Sequence, residues 1–243
     1  MKELLVYFSY LYEGNLSKIN KALLNKEKVS NERIEEVLTI LKIKNIKYLT
    51  ILDDKYPFFL KEYKYSPLVF FYRGNINLIN NRLACLTGDI INELTLKNLH
   101  KSLNKLIYTH NFISSGFKNL EQEILNFYRK YKKPVIHLLA FGHDFFNDYK
   151  DFENELYISV YPPSTNPKLQ RFKDRNNLAS MLAEFLIIYN SKHDSGIINL
   201  ATAFANNNKD VYCYPSSNYN DGNTFLIKSG ANLITHVADI NFY

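Results

Sequence analysis

The sequence predicts an α/β protein whose sheet is mostly parallel and covered by helices on both faces. Two observations lead to this prediction. After about residue 66, apolar runs of strand length alternate with segments of helical periodicity, the pattern of strands joined by crossover helices. Before about residue 62, apolar residues recur at spacings of three and four, which indicates a small helical module ahead of the sheet.

The helical module is predicted to span residues 1–62. Its apolar residues show helical spacing in two stretches, Leu4 to Leu11 and Ile34 to Leu41. Ser30 stands just before the second stretch, where serine commonly caps a helix. Tyr56-Pro57 is expected to end the helical part, because proline cannot continue a helix and restricts the residue before it. Residues 63–243 then form the α/β domain.

The α/β domain is predicted to begin with a strand at Ser66–Asn75, closed by Gly74-Asn75. Further strands are predicted at residues 82–88, 105–110, 111–116, 133–142, 156–163, 211–215 and 231–236. Helices are predicted at residues 90–106, 120–131, 195–207 and 223–230, and residues 179–189 pass from a helix into a strand. Crossovers between parallel strands are expected to be right-handed.

Composition limits the class of function without deciding it. The 243 residues are 46% hydrophobic, enough for a sizeable core, and carry a formal net charge of +6. A polyanion partner is compatible with this charge, and so is an ordinary enzyme. Cys85 and Cys213 lie in apolar runs without metal-binding spacing, so both are expected to be buried, reduced thiols of a cytoplasmic protein. The sequence predicts no signal peptide, membrane span, metal site or cofactor.

Small and polar residues follow several predicted strands, and such loops are where a phosphate-bearing ligand binds in an α/β sheet. Ser115-Gly116 ends one strand ahead of a helix. Ser195-Gly196 and Asp221-Gly222-Asn223 precede two later helices and are better explained as a helix cap and a turn than as ligand-binding loops. Arg175, near the start of a predicted helix, would bind phosphate through its guanidinium or pair with Asp174.

Several segments, taken in order, resemble the DprA/Smf family of DNA-processing proteins over about residues 52–240. The resemblance is carried by Tyr56-Pro57, Gly74-Asn75, FGHDFF at 141–146, YPPSTNP at 161–167, FKDRNNLAS at 172–180, Ser195-Gly196 and DGNTFLIKSGANLI at 221–234. The resemblance implies a Rossmann-like domain and a non-catalytic protein that protects single-stranded DNA and helps load the RecA recombinase in DNA uptake and recombination. It also implies a homodimer through the C-terminal half of the α/β domain. The family's C-terminal winged helix has no counterpart in the sequence, so a divergent member without it is expected.

The same resemblance assigns DNA binding to the loops that follow the strands. The residues predicted to bind DNA are Gly88, Ser115, Gly116, Lys118, Lys173, Arg175 and Asn176. Arg175 is the arginine of the family's phosphate-binding set that this chain clearly retains. The first loop reads Gly88-Asp89-Ile90, with Ile90 where the family has an arginine, and Asn177 replaces the last arginine of the third loop. Lys118 either replaces part of the lost charge or is an ordinary solvated lysine of the loop.

Two other functions stay open. A partner-binding scaffold without DNA affinity is compatible with the missing first-loop arginine. A nucleotide phosphoribohydrolase of the LOG type has the same broad fold but needs a PGGxGTxxE loop. The corresponding strand end here is YCYPSSN at residues 212–218, where Ser216 and Ser217 supply no acid–base group near neutral pH.

Overall fold

The computed structural model describes residues 1–216, 218 and 220–240 of the chain, so Ser217 lies outside the described residues. The helices are α1 (Lys2–Leu11), α2 (Leu16–Leu24), α3 (Asn31–Ile43), α4 (Glu93–Leu106), α5 (Leu120–Lys130), α6 (Leu169–Leu182), α7 (Gly196–Asn206) and α8 (Gly222–Lys228). The strands are β1 (Lys47–Thr50), β2 (Val69–Gly74), β3 (Leu83–Thr87), β4 (Asn111–Ser114), β5 (Val135–Leu139), β6 (Glu155–Ser159), β7 (Phe185–Ile188), β8 (Asp210–Cys213) and β9 (Asn232–Leu233).

The chain divides into two compact units, each built from two separate stretches of sequence. Unit 1 comprises Met1–Asn77 and Leu139–Phe172, and unit 2 comprises Leu78–Leu138 and Lys173–Tyr243. These units are defined by contacts, whereas the predicted boundary near residue 62 follows a change in sequence pattern. That boundary stays a prediction.

Unit 1 contains α1 to α3 and a small antiparallel sheet. Strand β2 pairs antiparallel with both β1 and β6, so the expectation of parallel strands does not extend to this unit. Helices α1 to α3 bury Phe8, Ile19 and Leu41 in a core shared with Phe71 of β2. Residues 47–50, predicted as part of the helical module, form β1 because pairing with β2 supplies hydrogen bonds that local periodicity does not reveal.

Unit 2 contains the parallel sheet. Its strand order is β5-β4-β3-β7-β8-β9, and every pair is parallel. This is the Rossmann-like order, in which the chain returns to the centre and changes direction between β3 and β7. The predicted α/β class with a mostly parallel, Rossmann-like sheet is therefore confirmed. Ligands of such sheets bind outside the carboxyl ends of the strands near this point, here called the carboxyl edge.

Two local predictions are wrong. Residues 105–110 are not a strand, because α4 continues to Leu106 and the amides of Tyr108, Thr109 and His110 bond back to its last turn. Helix α6 begins at Leu169, so Arg175 lies in the middle of the helix and not near its start. The polar first turns of α6 carry no apolar repeat that would reveal the earlier start.

Candidate nucleic-acid interface

The loop between β4 and α5, residues 115–119, lies at the carboxyl edge beside the β3–β7 switch point. Gly116 is exposed and has φ of +69°, in the left-handed region that glycine enters without strain. Asn119 also has φ of +69° and precedes the first residue of α5. The loop therefore turns sharply twice within a few residues and projects its tip, Lys118, into solvent.

A buried carboxylate holds this loop in place. Glu121, in the first turn of α5, is 1% exposed. One of its oxygens accepts hydrogen bonds from the Gly116 amide and the Ser114 hydroxyl, each at 2.9 Å, and the other accepts from the Thr87 hydroxyl at 3.1 Å. Burial raises the pKa of Glu121 to about 7, while these hydrogen bonds and the charge of Arg175 act in the opposite direction. Glu121 thus ties α5 to the ends of β3 and β4.

Arg175 comes to this loop from α6 and is largely buried. Its guanidinium lies over the Phe117 ring, 5.1 Å from the centroid, and its Nη2 donates to Asn176 Oδ1 at 2.8 Å. A Cβ placed on Gly116 would lie 3.8 Å from Nη1, so the guanidinium sits against the open side of the glycine. Burial lowers the pKa of Arg175, and the Glu121 carboxylate opposes that shift. Arg175 and Gly116, which the family resemblance assigns together to DNA binding, are therefore neighbours.

Asn176 and Phe117 connect this cluster to α7. The Asn176 amide nitrogen donates to Asn199 Oδ1 at 3.2 Å. Phe117 packs on the start of α7, where a Cβ on Gly196 would lie 3.2 Å from the ring. Ser195 caps α7 by accepting from the Ile197 amide at 3.1 Å, which confirms its predicted role as a cap. The aromatic ring therefore fills the space between Arg175 and the first turn of α7.

Gly88 occupies a place with no room for a side chain. An added Cβ would lie 2.5 Å from Leu120 Cδ2 and 3.0 Å from the Asn190 carbonyl oxygen. The next residue, Asp89, accepts the Lys192 amide at 2.9 Å and donates its own amide to the Asn190 carbonyl. Gly88 and Asp89 therefore join the end of β3 to the loop after β7. The Asp89 carboxylate thus has a structural role at this junction.

The remaining predicted residues divide into buried and exposed positions. Ser115 is fully buried, and its hydroxyl lies 3.9 Å from the Cys85 thiol, so this side chain faces the core. Lys118 and Lys173 are exposed. Among the described residues, neither has a carboxylate within ion-pair distance. Their charges are therefore open to an anionic ligand.

Sequence reasoning missed Glu121 and Phe117. Glu121 reads as one polar position of an amphipathic helix, and nothing local shows that it points toward the sheet. A usable signal was the cluster of hydrogen-bond donors in Ser114-Ser115-Gly116 directly ahead of it, because a buried carboxylate needs such donors.

Two other kinds of site find no support in the part of the chain that the structure describes. No group of three or more His, Cys, Asp or Glu side chains is arranged to hold a metal ion. No helix there has both the length and the apolar content that crossing a bilayer requires. Cys85 and Cys213 are buried free thiols, as predicted.

Comparison with known proteins identifies the family. The model of the family described as DNA recombination-mediator protein A matches residues 47–242. DNA processing protein DprA of Streptococcus pneumoniae is 26% identical over 203 residues, covering 79% of this chain and 72% of that protein. The DprA of Bacillus subtilis is 25% identical over 235 residues, covering 90% of this chain and 78% of that protein.

Two solved structures have the same fold. The X-ray structure of S. pneumoniae DprA superposes with a TM-score of 0.75 at 21% identity, covering 94% of this chain and 83% of that one. A structure of DNA processing protein A from Helicobacter pylori, described for its single-stranded DNA binding mode, gives a TM-score of 0.67 at 19% identity over 79% and 93% of the two chains. Because the family model spans most of the sequence, the protein belongs to the DNA recombination-mediator protein A family, the DNA processing proteins called DprA.

Proposed function

We propose that this protein binds single-stranded DNA, without catalysing a reaction, along the carboxyl edge of the unit 2 sheet. The observation that carries the proposal is the meeting of Arg175 with the Gly116 loop, whose tip is the exposed Lys118. A basic loop at the switch point of a Rossmann-like sheet is where this fold takes phosphate groups. The H. pylori relative, which shares the fold, is described as binding single-stranded DNA.

The proposal divides the work between exposed and buried residues. The Gly116 amide donates to Glu121, so the attraction for a phosphate comes mainly from side chains. Lys118 and Lys173 supply point charges at the surface. Arg175 holds its guanidinium beside Gly116, where it would add a charge-assisted hydrogen bond to a phosphate, and Asn176 braces it. Gly88, Ser115 and Gly116 give the groove its close backbone packing.

Salt-dependent binding of labelled oligo-dT, followed by fluorescence anisotropy, tests the proposal. The logarithm of the binding constant should fall linearly with the logarithm of salt concentration, by about 0.7 for each phosphate contact. Base composition should matter little, because phosphate contacts carry no sequence information. Absence of binding at low salt would overturn the proposal and leave the partner-binding scaffold, which the replacement of a loop arginine by Ile90 favours.

The finer proposal is that the protein loads the RecA recombinase onto the bound strand. The family description as a recombination mediator supports this role. The test is RecA assembly on DNA already coated with a single-strand-binding protein. Catalytic amounts of this chain should shorten the lag before assembly, and a Lys118→Gln variant should do so less well. An unchanged lag with the parent protein would rule out the mediator role while leaving DNA binding intact.

A further inference from the structure

Most of the positive charge of unit 2 lies away from the proposed groove, although Lys118 of the groove loop belongs to the same stretch of sequence. Residues 94–133 contain eight Lys or Arg and two Asp or Glu, so their net charge of +6 equals that of the whole chain. One of the two acids, Glu121, is buried in the loop cluster described above. The remaining sequence is therefore neutral overall, and the excess positive charge of the protein is concentrated on α4, α5 and the segments that follow them.

These basic residues form one surface with two exposed tyrosines. We call it the lysine–tyrosine surface, and its members are Lys101, Lys105, Tyr108, Lys130, Tyr131, Lys132 and Lys133. The Lys133 ammonium lies 5.3 Å from the Tyr108 ring centroid, and Lys130 lies 5.5 Å from that of Tyr131. Contacts of Phe127 with Tyr131 (4.9 Å) and with His100 of α4 (6.4 Å) join the two helices beneath it.

Helix stabilisation does not explain the whole surface. Lysine in the last turn of a helix interacts favourably with the helix dipole, which accounts for Lys105 and Lys130. Lys101 lies before the last turn of α4, and Lys132 and Lys133 lie beyond α5. Among the described residues, none of these lysines has a carboxylate within ion-pair distance.

The exposed rings indicate what the surface binds. Tyr108 is 76% exposed and Tyr131 is 47% exposed. Planar rings flanked by cations are how proteins hold single-stranded nucleic acid, because bases stack on the rings while the cations follow the phosphates. Across residues 94–133, the one strongly exposed large aliphatic side chain is Leu94 (50%), at the start of α4 and therefore far along the helix from Tyr108, which favours a nucleic acid over an anionic membrane.

We infer that the lysine–tyrosine surface is a second binding site for single-stranded DNA. This inference rests on the proposed function because it takes DNA as the ligand, but it does not require that DNA bind in the groove. Helix α4 runs from the carboxyl edge of the sheet to the opposite edge, where Tyr108 lies. Its 14 residues make the separation about 20 Å. A short oligonucleotide would occupy one site, and a longer strand would reach both.

Two matched triple variants test the inference with oligo-dT of about 6 and about 30 nucleotides. Lys101→Gln, Lys105→Gln and Lys130→Gln remove three exposed charges from the surface. Lys18→Gln, Lys21→Gln and Lys28→Gln remove three exposed charges from unit 1 and serve as the control. For the long strand, the surface variant should lower the salt slope by about 2, corresponding to three lost phosphate contacts, and the control should not.

Tyr108→Ala should weaken binding of the long strand about fivefold or more.

The outcomes separate this inference from the proposed function. Equal salt slopes for the surface variant, the control and the parent would overturn the inference and leave the groove standing. Loss of binding in the surface variant, with none in Lys118→Gln, would support the inference and count against the groove. Failure of the parent to bind either oligonucleotide would overturn both.

Two further measurements locate the bound strand and test whether the surface binds a different ligand. Photo-crosslinking of an iodouracil-containing strand should label Tyr108 or Tyr131, and labelling confined to residues 115–119 would overturn the inference. If the surface variant loses binding to anionic phospholipid vesicles but keeps its DNA salt slope, the surface is a membrane site and the inference fails.

Discussion

At the scale of single residues, we expect Arg175 to contribute both to DNA binding and to folding stability. A pair of variants can separate these two contributions. Arg175→Ala should weaken single-strand binding about ten- to a hundredfold, since a charge-assisted hydrogen bond contributes about 1.5–3 kcal/mol. It should also lower the free energy of unfolding, because it removes the positive charge that faces the buried Glu121. Anisotropy and urea denaturation measure the two effects.

Lys118→Gln is the matched variant, since Lys118 is exposed at the tip of the same loop. It should weaken binding severalfold and leave the urea midpoint unchanged. If Arg175→Ala remains folded and binds like the parent, the groove is not where this protein meets DNA.

The complementary prediction at this scale is that an added positive charge in the first loop strengthens DNA binding. Ile90→Arg places a guanidinium where family resemblance expects one, so oligo-dT binding should tighten. The Asp89 carboxylate repels phosphate, but it already accepts the Lys192 amide, so we expect it to reduce the gain in binding only in part. The control is Ile91→Arg, which adds the same charge at the exposed neighbouring position. Equal gains from both variants would show that the effect is general electrostatics and not a specific loop contact.

Glu121 should make stability depend on pH. Its pKa in the folded protein is about 7, against an ordinary value of 4.5, so the folded state binds the proton more tightly than the unfolded state. The free energy of unfolding should therefore fall as pH rises from about 4.5 to about 7 and then level off, by on the order of 3 kcal/mol. Glu121→Gln should remove this component, as seen in urea unfolding across that range. The control Glu123→Gln, at an exposed position of the same helix, should follow the parent; a Glu121→Gln curve that also follows the parent would contradict the prediction.

At the scale of elements, several helices end in a left-handed residue that is not glycine. Lys26, Asn45, Lys132 and Asn208 have φ between 50° and 54°. In each case the following amide bonds back to a carbonyl near the helix end, as in a Schellman motif. Glycine takes this conformation without steric cost, whereas a side chain adds about 1 kcal/mol.

Lys26→Gly should therefore stabilise the protein by about 0.5–1 kcal/mol. The same substitution at Lys21, inside α2, should destabilise it by a similar amount, because glycine is a poor residue within a helix. Urea denaturation of the two variants should give midpoints on opposite sides of the parent. Two destabilised variants would show that the αL position of Lys26 is not under strain.

At the scale of the whole molecule, a homodimer through the C-terminal half of the α/β domain remains the prediction. Two large apolar side chains of that half are exposed at the end of the unit 2 sheet, Phe225 on α8 (41%) and Leu233 on the edge strand β9 (55%). Light scattering at micromolar concentration should give the mass of a dimer, and Leu233→Lys should give a monomer. Leu24→Lys, at an exposed apolar position of α2, should leave the mass unchanged. A monomeric parent would contradict the prediction.

The sequence by itself determined most of the elements of unit 2 and the family. Alternation of apolar runs and amphipathic helices predicted the parallel sheet, because each burial pattern is local to its own segment. The YPP and FKDRNN segments pointed to DprA, and the family resemblance assigned Arg175 and the Gly116 loop together to DNA binding. Capping by Ser195 followed from residue type and position alone.

Only the tertiary structure decided how the candidate site is built. Whether strands pair parallel or antiparallel depends on partners distant in sequence, so the antiparallel pairing of β2 with β1 and β6 escaped the prediction. Burial of Glu121, and its bonds to Thr87 and Gly116, arise because the ends of β3 and β4 converge on α5. The lysine–tyrosine surface likewise forms where segments 25 residues apart, at Tyr108 and Lys133, come together in space. The sequence of a single segment does not reveal such contacts, because they depend on how separate elements pack.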